Sequence, residues 1–209
     1  MRILIADDHE VVREGLKQIV RKVNPFVDID EASSGTDALA LLESNSYDLS
    51  IMDISMPGRS GLDVLQTLRD RNKMVPVLIL SIHSEEQYAV RALKSGASGY
   101  LSKSSVYREL STAINTILSG GRYISPSLAA HLLTETVDGV PRFPHEKLSQ
   151  REFQIMCMLA RGKSVNEIAK DLFISNKTVS THRIRILAKL GMSKNAELTN
   201  YALKNNLIE

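Results

Sequence analysis

Pro76-Val77-Leu78-Ile79-Leu80-Ser81 is the stretch whose reading decides the fold. Proline opens a strand here, and the four residues after it are apolar without alternation. A strand of that kind has no face to give to water, as expected of a central strand in a parallel sheet covered by helices on both sides. Toward the N-terminus, residues 47–52 form a further strand, followed by a helix marked by Val64, Leu65 and Leu68. Before them come a strand over 26–31 that holds Ile29, and a helix after Gly35 marked by Ala38, Leu39, Leu41 and Leu42. At the start, residues 2–6 are an apolar β-type run, and Val12, Leu16, Ile19 and Val20 follow at i, i+4, i+7 and i+8 on one helical face. Toward the C-terminus, a helix spans about 84–94 and a short strand 99–102. A fifth helix carries Leu110, Ala113, Ile114, Ile117 and Leu118. Five βα units within residues 1–120 predict a doubly wound α/β domain with a five-stranded parallel sheet.

The whole chain has 209 residues, room for one to two domains. With 43% apolar and 24% charged residues it has the balance of an ordinary globular protein. Its longest unbroken apolar run, Ile155 to Ala160, falls far short of the roughly 18 residues needed to span a bilayer, so no membrane partner is expected. The N-terminus enters the first strand directly, without a cleavable apolar segment. A single cysteine, Cys157, excludes an intrachain disulfide framework and a cysteine-only metal cluster. These features predict a cytoplasmic protein. The net charge of +2 conceals an asymmetry. Residues 1–120 hold 13 Lys and Arg against 16 Asp and Glu, whereas residues 121–209 hold 13 against 8. An acidic front and a basic back suggest two domains with different partners, the basic one a candidate for nucleic acid.

In a doubly wound sheet, ligands bind beyond the carboxyl ends of the strands. There the first strand finishes at Asp7-Asp8, the third at Asp53 and the fourth at Ser81, while Lys103 follows the fifth. Any one of these could be a polar residue capping a strand as it meets solvent. Three carboxylates, a hydroxyl and an ammonium converging on one edge suit phosphoryl transfer to a carboxylate instead. Clustered carboxylates repel one another unless a cation neutralises them, and Mg²⁺ takes carboxylates, waters and phosphate oxygens. Asp53 would be the nucleophile, Lys103 would stabilise charge on the phosphoryl oxygens, and the Ser81 hydroxyl would donate to one of them.

Residues 1–120 resemble a response-regulator receiver domain. The matching pieces are Asp7-Asp8-His9, Asp53-Ile54-Ser55-Met56-Pro57-Gly58, Gly61, Ser81, Gly96-Ala97-Ser98-Gly99-Tyr100 and Lys103. The resemblance implies strand order 2-1-3-4-5 and Asp53 as phosphoacceptor. It also implies Mg²⁺ held by Asp8, Asp53 and the Ser55 backbone carbonyl, with Asp7 assisting through water, and Ser81 with Tyr100 as a switch pair. The alternative for Tyr100 is an ordinary packed strand aromatic. Ser55 and His83 stand at positions that vary in the family. Other phosphate chemistries fit less well. Neither a dinucleotide fingerprint nor a P-loop occurs, and Gly58-Arg59-Ser60-Gly61 reads as a turn. A phosphatase working through an aspartyl phosphate usually places a second Asp two residues after its nucleophile; here that residue is Ser55. The chain is therefore not expected to be an enzyme.

Gly120-Gly121 closes the last helix of the front domain. Residues 126–135, opened by Pro126 and carrying Leu128, Leu132 and Leu133, could make a short helix. Residues 136–147 contain two prolines and a glycine without periodicity and read as linker, so 121–147 connects the domains. From 148 to 209 the pattern is all helical. Ser149 with Glu152, and Ser164 with Glu167, are two capping boxes. Four helices are expected: one carrying Phe153, Ile155, Met156, Met158, Leu159 and Ala160, a short one with Ile168, Ala169 and Leu172, a third over about 177–190 stopped by Gly191, and a fourth over about 194–206. Cys157 lies in the first as a small core or surface residue, with nothing basic beside it to activate the thiol.

A short helix, a tight turn and a basic helix are the parts of a helix-turn-helix. Val179, Ile186 and Leu190 share one side of the third helix, with His182 at its margin. The opposite side shows Lys177, Thr181, Ile184 and Ala188, flanked by Ser180 and Arg185. No acidic residue occurs between 177 and 190, whereas a merely solvated face usually mixes signs. That favours a major-groove role for Lys177, Ser180, Thr181, Ile184 and Arg185, with Arg183 and Lys189 as phosphate or solvent contacts. His9 and His182 read as structural or surface groups, since no second His or Cys stands at ligand spacing.

Residues 148–209 closely resemble the LuxR/NarL-type helix-turn-helix domain. The match runs through Leu148-Ser149-Gln150-Arg151-Glu152, Ala160 to Ser164, Glu167-Ile168-Ala169, Leu172, Ile174-Ser175, Lys177-Thr178-Val179, His182, Lys189-Leu190-Gly191 and Ala196-Glu197-Leu198. Ser180 and Ile184 depart from it where relatives often carry basic residues, so another member's operator sequence does not transfer. Together the two resemblances imply a two-component response regulator of the NarL/FixJ class. Such a protein is a transcription regulator phosphorylated on Asp53 by a sensor histidine kinase or a small phosphodonor. It binds double-stranded promoter DNA, at two half-sites if it acts as a homodimer. A different reading is a phosphorylation-independent DNA-binding protein that keeps its receiver as a dimerisation module.

Overall fold

The computed structural model describes residues 1–81, 85–125, 128–129, 143–205 and 207–208. Contacts divide the chain into two units, Met1–Thr134 and Glu135–Glu209. In the first, β1 (Arg2–Ala6), α1 (Glu10–Val23), β2 (Asp28–Ala32), α2 (Gly35–Ser44) and β3 (Leu49–Asp53) are followed by α3 (Gly61–Asp70), β4 (Val77–Ser81), α4 (Glu85–Lys94), β5 (Gly99–Ser102) and α5 (Val106–Leu118). The strands form one parallel sheet in the order β2-β1-β3-β4-β5, so the expected 2-1-3-4-5 order is the observed one. β3 and β4 are buried at every residue, which is why both read as unbroken or nearly unbroken apolar runs. One face of the sheet packs Ile3, Ile5, Leu49, Ile51, Leu78, Leu80 and Leu101 against Leu16 and Val20 of α1 and Leu110, Ala113, Ile114 and Ile117 of α5. Truncating one of the leucines or isoleucines among them to Ala should cost about 2–5 kcal/mol. Such packing holds the strand ends, and with them the site, in place.

Two expectations shift at the edges. β2 begins at Asp28 rather than 26, because Phe26 lies in the preceding loop, 90% exposed, its N–H donating to Asn24 Oδ1. Leu118, one of the apolar residues that mark the fifth helix, is at the exposed end of α5 rather than in the core. Residues 128 and 129 are helical, but the rest of the short helix expected over 126–135, and 136–142 of the linker, lie outside the described residues.

The second unit contains a 3₁₀ turn (Pro144–Lys147), α6 (Gln150–Ala160), α7 (Val165–Asp171), α8 (Asn176–Leu190) and α9 (Asn195–Lys204). Both capping boxes form. The Ser149 and Ser164 hydroxyls accept from the N–H groups of Glu152 and Glu167, and both glutamates return the bond to the serine N–H at 2.8 Å. Each cap is worth about 1 kcal/mol. Gly191 ends α8 in the left-handed conformation at φ 67°, which glycine adopts without a Cβ clash. Phe153, Ile155, Met156, Leu159, Ile168, Val179, Ile186, Leu198 and Ala202 fill the core, and Cys157 is buried among them. Leu187, not Leu190, completes the buried side of α8, because that helix packs against both α6 and α7 and presents a broad inner face. The last five residues read as linker also depart from expectation. Phe143 to Lys147 fold onto this unit, with His145 buried and its Nδ1 2.8 Å from the Tyr201 hydroxyl.

Candidate functional site

The parallel register brings the expected side chains to the carboxyl edge of the sheet. Asp7 follows β1, Asp53 ends β3, Ser81 ends β4 and Lys103 follows β5. Backbone bonds set their positions: Ile54 N–H donates to the Leu80 carbonyl at 3.0 Å and Lys103 N–H to the Ser81 carbonyl at 2.7 Å. Gly61, the first residue of α3, makes the site compact. A Cβ there would stand 2.2 Å from the Asp53 carbonyl oxygen, so only glycine lets α3 start against that strand end.

Asp7 and Asp53 are 0% and 3% exposed, and the Lys103 ammonium lies between them, 2.6 Å from Asp7 Oδ2 and 3.0 Å from Asp53 Oδ2. Burial pushes the Asp53 carboxyl above its ordinary value; Lys103 pulls it down, and the Asp7 charge adds to the rise. Burial alone would lower the Lys103 ammonium, but its bonds to Asp7 and the charge of Asp53 raise it overall. Asp8 is exposed and meets the His9 Nδ1 at 2.9 Å, while His9 N–H donates to Asp7 Oδ1 at 2.9 Å. The contact of His9 with both carboxylates was not legible in the sequence. Three carboxylates against one lysine ammonium leave the pocket short of positive charge, and its ligand atoms are hard oxygens. That donor set suits a divalent cation such as Mg²⁺. The exposed Ser55 adjoins the pocket, its N–H donating to the Asp53 carboxylate.

Ser81 and Tyr100 are buried on the same face of the sheet, since Tyr100 pairs in register with Ile79, two residues before Ser81. The structure thus puts the expected switch residues on neighbouring strands, two positions apart.

On α8, Lys177, Ser180, Thr181, Ile184 and Arg185 are all exposed, and Ile184 is 65% open to solvent. An apolar residue so exposed on a basic helix suits contact with a partner. Two residues expected to meet DNA have other partners. Arg183 Nε donates to Asn195 Oδ1 at 2.7 Å, and Lys189 Nζ lies 2.6 Å from Glu152. Both interactions tie α8 to its own domain.

Residues 3–115 match the response regulator receiver domain, and residues 146–202 match the bacterial regulatory proteins of the luxR family. Over 208 residues the chain is 36% identical to Response regulator UvrY of Escherichia coli strain K12, covering 99% of this chain and 95% of that protein. This chain belongs to the NarL/FixJ family of two-component response regulators. The response regulator is also 35% identical to Oxygen regulatory protein NreC of Staphylococcus carnosus, over the full length of both. The crystal structure of response regulator ChrA, from a heme-sensing two-component system, aligns over 99% of this chain and 98% of that one, at TM-score 0.52 and 33% identity. RcsB of Salmonella enterica bound to the rprA promoter shares the fold, at TM-score 0.67 and 24% identity over 96% of this chain and 98% of that one. Members of the family are DNA-binding transcriptional regulators. Among the described residues of this response regulator, no helix is long and apolar enough to cross a membrane.

Proposed function

We propose that this response regulator accepts a phosphoryl group on Asp53 and that phosphorylation controls its binding to promoter DNA. The observation that carries the reading is the Asp53 carboxylate, buried at the sheet edge and sharing one lysine ammonium with Asp7. Such a carboxylate can attack phosphorus while a fixed cation stands ready for the phosphoryl oxygens. A sensor histidine kinase supplies the group: an Asp53 oxygen forms the new O–P bond, the P–N bond of a phosphohistidine breaks, and the released imidazole takes up a proton. Asp7, Asp8, Asp53 and the Ser55 carbonyl would hold Mg²⁺, which supplies neutralising charge for the phosphoryl oxygens. Ser55 offers no general acid for hydrolysis, in keeping with a regulator rather than a turnover enzyme.

The phosphate adds about −1.5 to −2 charge to a pocket whose cation is Lys103. Ser81 moves toward it, and Tyr100, on the same face, follows the space that Ser81 vacates. Residues 1–120 are the receiver and 148–209, with the Phe143–Lys147 segment folded onto them, the DNA-binding domain; the connection lies between. On double-stranded DNA, α8 enters the major groove with Lys177, Ser180, Thr181, Ile184 and Arg185, while Arg183 and Lys189 stand nearer the backbone. A homodimer reading two half-sites, in the cytoplasm, completes the reading. Its test is chemical. With Mg²⁺ and a small-molecule phosphodonor, the protein should gain one hydroxylamine-labile phosphate by mass spectrometry, absent from Asp53→Ala. Equal incorporation in both would overturn the assignment.

A further inference from the structure

Beside the acid pocket, on the side away from Lys103, a second cation is built into the fold. Arg13 lies in the first turns of α1 with its side chain 15% exposed. Its Nη1 donates to the Asp7 backbone carbonyl at 2.9 Å, and its Nε donates to Glu31 Oε2 at 2.9 Å. Glu31, on β2, is also held by Lys17, whose Nζ stands 2.6 Å from Oε1. These hydrogen bonds keep the Glu31 carboxyl below its ordinary value, Lys17 contributing most. The Asp7 N–H is already committed to the Ala32 carbonyl at 3.1 Å. Both polar groups of the Asp7 main chain are therefore pinned, one by β2 and one by a guanidinium that β2 itself orients.

That arrangement bears on Asp8. Asp7 is locked by burial and by Lys103, whereas the exposed Asp8 carboxylate, among the described residues, pairs only with the neighbouring His9. Its place in the pocket depends on the Asp7–Asp8 peptide, whose carbonyl Arg13 holds. We infer that Arg13 is a positioning residue of the acid pocket: oriented by Glu31, it fixes the peptide that presents Asp8 to a divalent cation. A planar guanidinium serves two acceptors at once, which a lysine ammonium on a flexible stem does less well. The inference rests on the cation pocket proposed above and adds a residue outside its ligand set.

Two measurements on the full-length protein separate the failure of each. The first is Mg²⁺ titration followed by NMR of the Asp8 and His9 amides, on wild type, Arg13→Met, Arg13→Lys and Glu31→Gln. Arg13→Met should weaken Mg²⁺ binding about tenfold, the low end of what loss of an outer-shell partner costs. Glu31→Gln should lose less, Arg13→Lys should recover part of the loss, and the phosphorylation rate at saturating Mg²⁺ should stay at the wild-type level. The second is hydrogen exchange of the His9 amide without metal, which should quicken in Arg13→Met and Glu31→Gln while the Ile5 amide keeps its protection. If wild type binds no Mg²⁺, the cation reading fails and the exchange experiment still decides the role of Arg13. Unchanged His9 exchange in both variants, or wild-type Mg²⁺ affinity in Arg13→Met, overturns the inference.

Discussion

Lys189 Nζ lies 2.6 Å from Glu152 Oε2, the oxygen that also accepts the Ser149 N–H and so closes the capping box of α6. One carboxylate therefore starts α6 and anchors the far end of α8. Burial works against its ionisation, but bonds from Lys189 and Ser149 outweigh it and keep the carboxyl below its ordinary value of 4.5. A depressed carboxyl stabilises the fold above its unfolded value and loses that contribution as pH falls through the folded one. Lys189→Met leaves the buried carboxylate without its cation and should cost about 1–2 kcal/mol, less than a fully buried pair because the lysine is partly solvated. Glu152→Gln keeps the capping box and should cost less. Thermal unfolding against pH checks this: the gap between wild type and Glu152→Gln should close below pH 4.5.

The same pair changes what Lys189 can give to DNA. A free lysine on a phosphate contributes about one unit to the salt slope of binding. Held by Glu152, Lys189 should contribute less, and Lys189→Ala should weaken operator and scrambled DNA alike. Filter binding over a salt series measures both.

Thr181 and Ile184 should behave in the opposite way. The Thr181 hydroxyl donates to the Lys177 carbonyl at 2.9 Å, which leaves its oxygen lone pairs and its methyl for a base edge. Ile184 offers only apolar contact. Either change to Ala should cost about 1–3 kcal/mol on a specific site and leave non-specific binding and its salt slope unchanged. Equal loss on both DNAs would place the reading face elsewhere.

Asp53→Asn should raise the unfolding temperature of the receiver in metal-free buffer near neutral pH. The Asp53 carboxyl sits above its ordinary 3.8 because of burial, with Asp7 adding to the rise, so its ionisation costs stability as pH rises through the folded value. Mg²⁺ should then stabilise wild type more than Asp53→Asn. Calorimetry with and without the metal reads both effects.

Gly61→Ala should disturb the site without touching a charged group. The new Cβ would meet the Asp53 carbonyl oxygen at 2.2 Å, and relieving that contact must move α3 or the end of β3. Overpacking of this kind costs about 1–3 kcal/mol, and the phosphorylation of Asp53 should slow with it. Denaturant unfolding and a phosphorylation time course measure the two losses.

The strands and the edge constellation were legible because parallel strands buried on both faces write themselves as apolar runs ending in the site residues. The start of β2 is not legible to within two residues, since Asp28–Ala32 lies at the sheet edge and carries only Ile29 and Ala32 as apolar marks. Helical period marks Val179 and Ile186 but not Leu187, because a single-face wheel cannot register that two helices cover α8. The 143–147 segment looked like linker on its prolines, and its burial hangs on contacts such as His145 with Tyr201, 56 residues away. Arg13 left no mark at all: one of its two acceptors is a backbone carbonyl, which every residue has.

The most direct test follows the affinity of the full-length protein for a duplex that it selects from a random pool. Binding is measured with Mg²⁺, with and without a small-molecule phosphodonor, for wild type and Asp53→Ala. The account predicts that the phosphodonor tightens binding by wild type and leaves Asp53→Ala unchanged. Identical wild-type affinities with and without the phosphodonor, once mass spectrometry shows the protein phosphorylated, would contradict it.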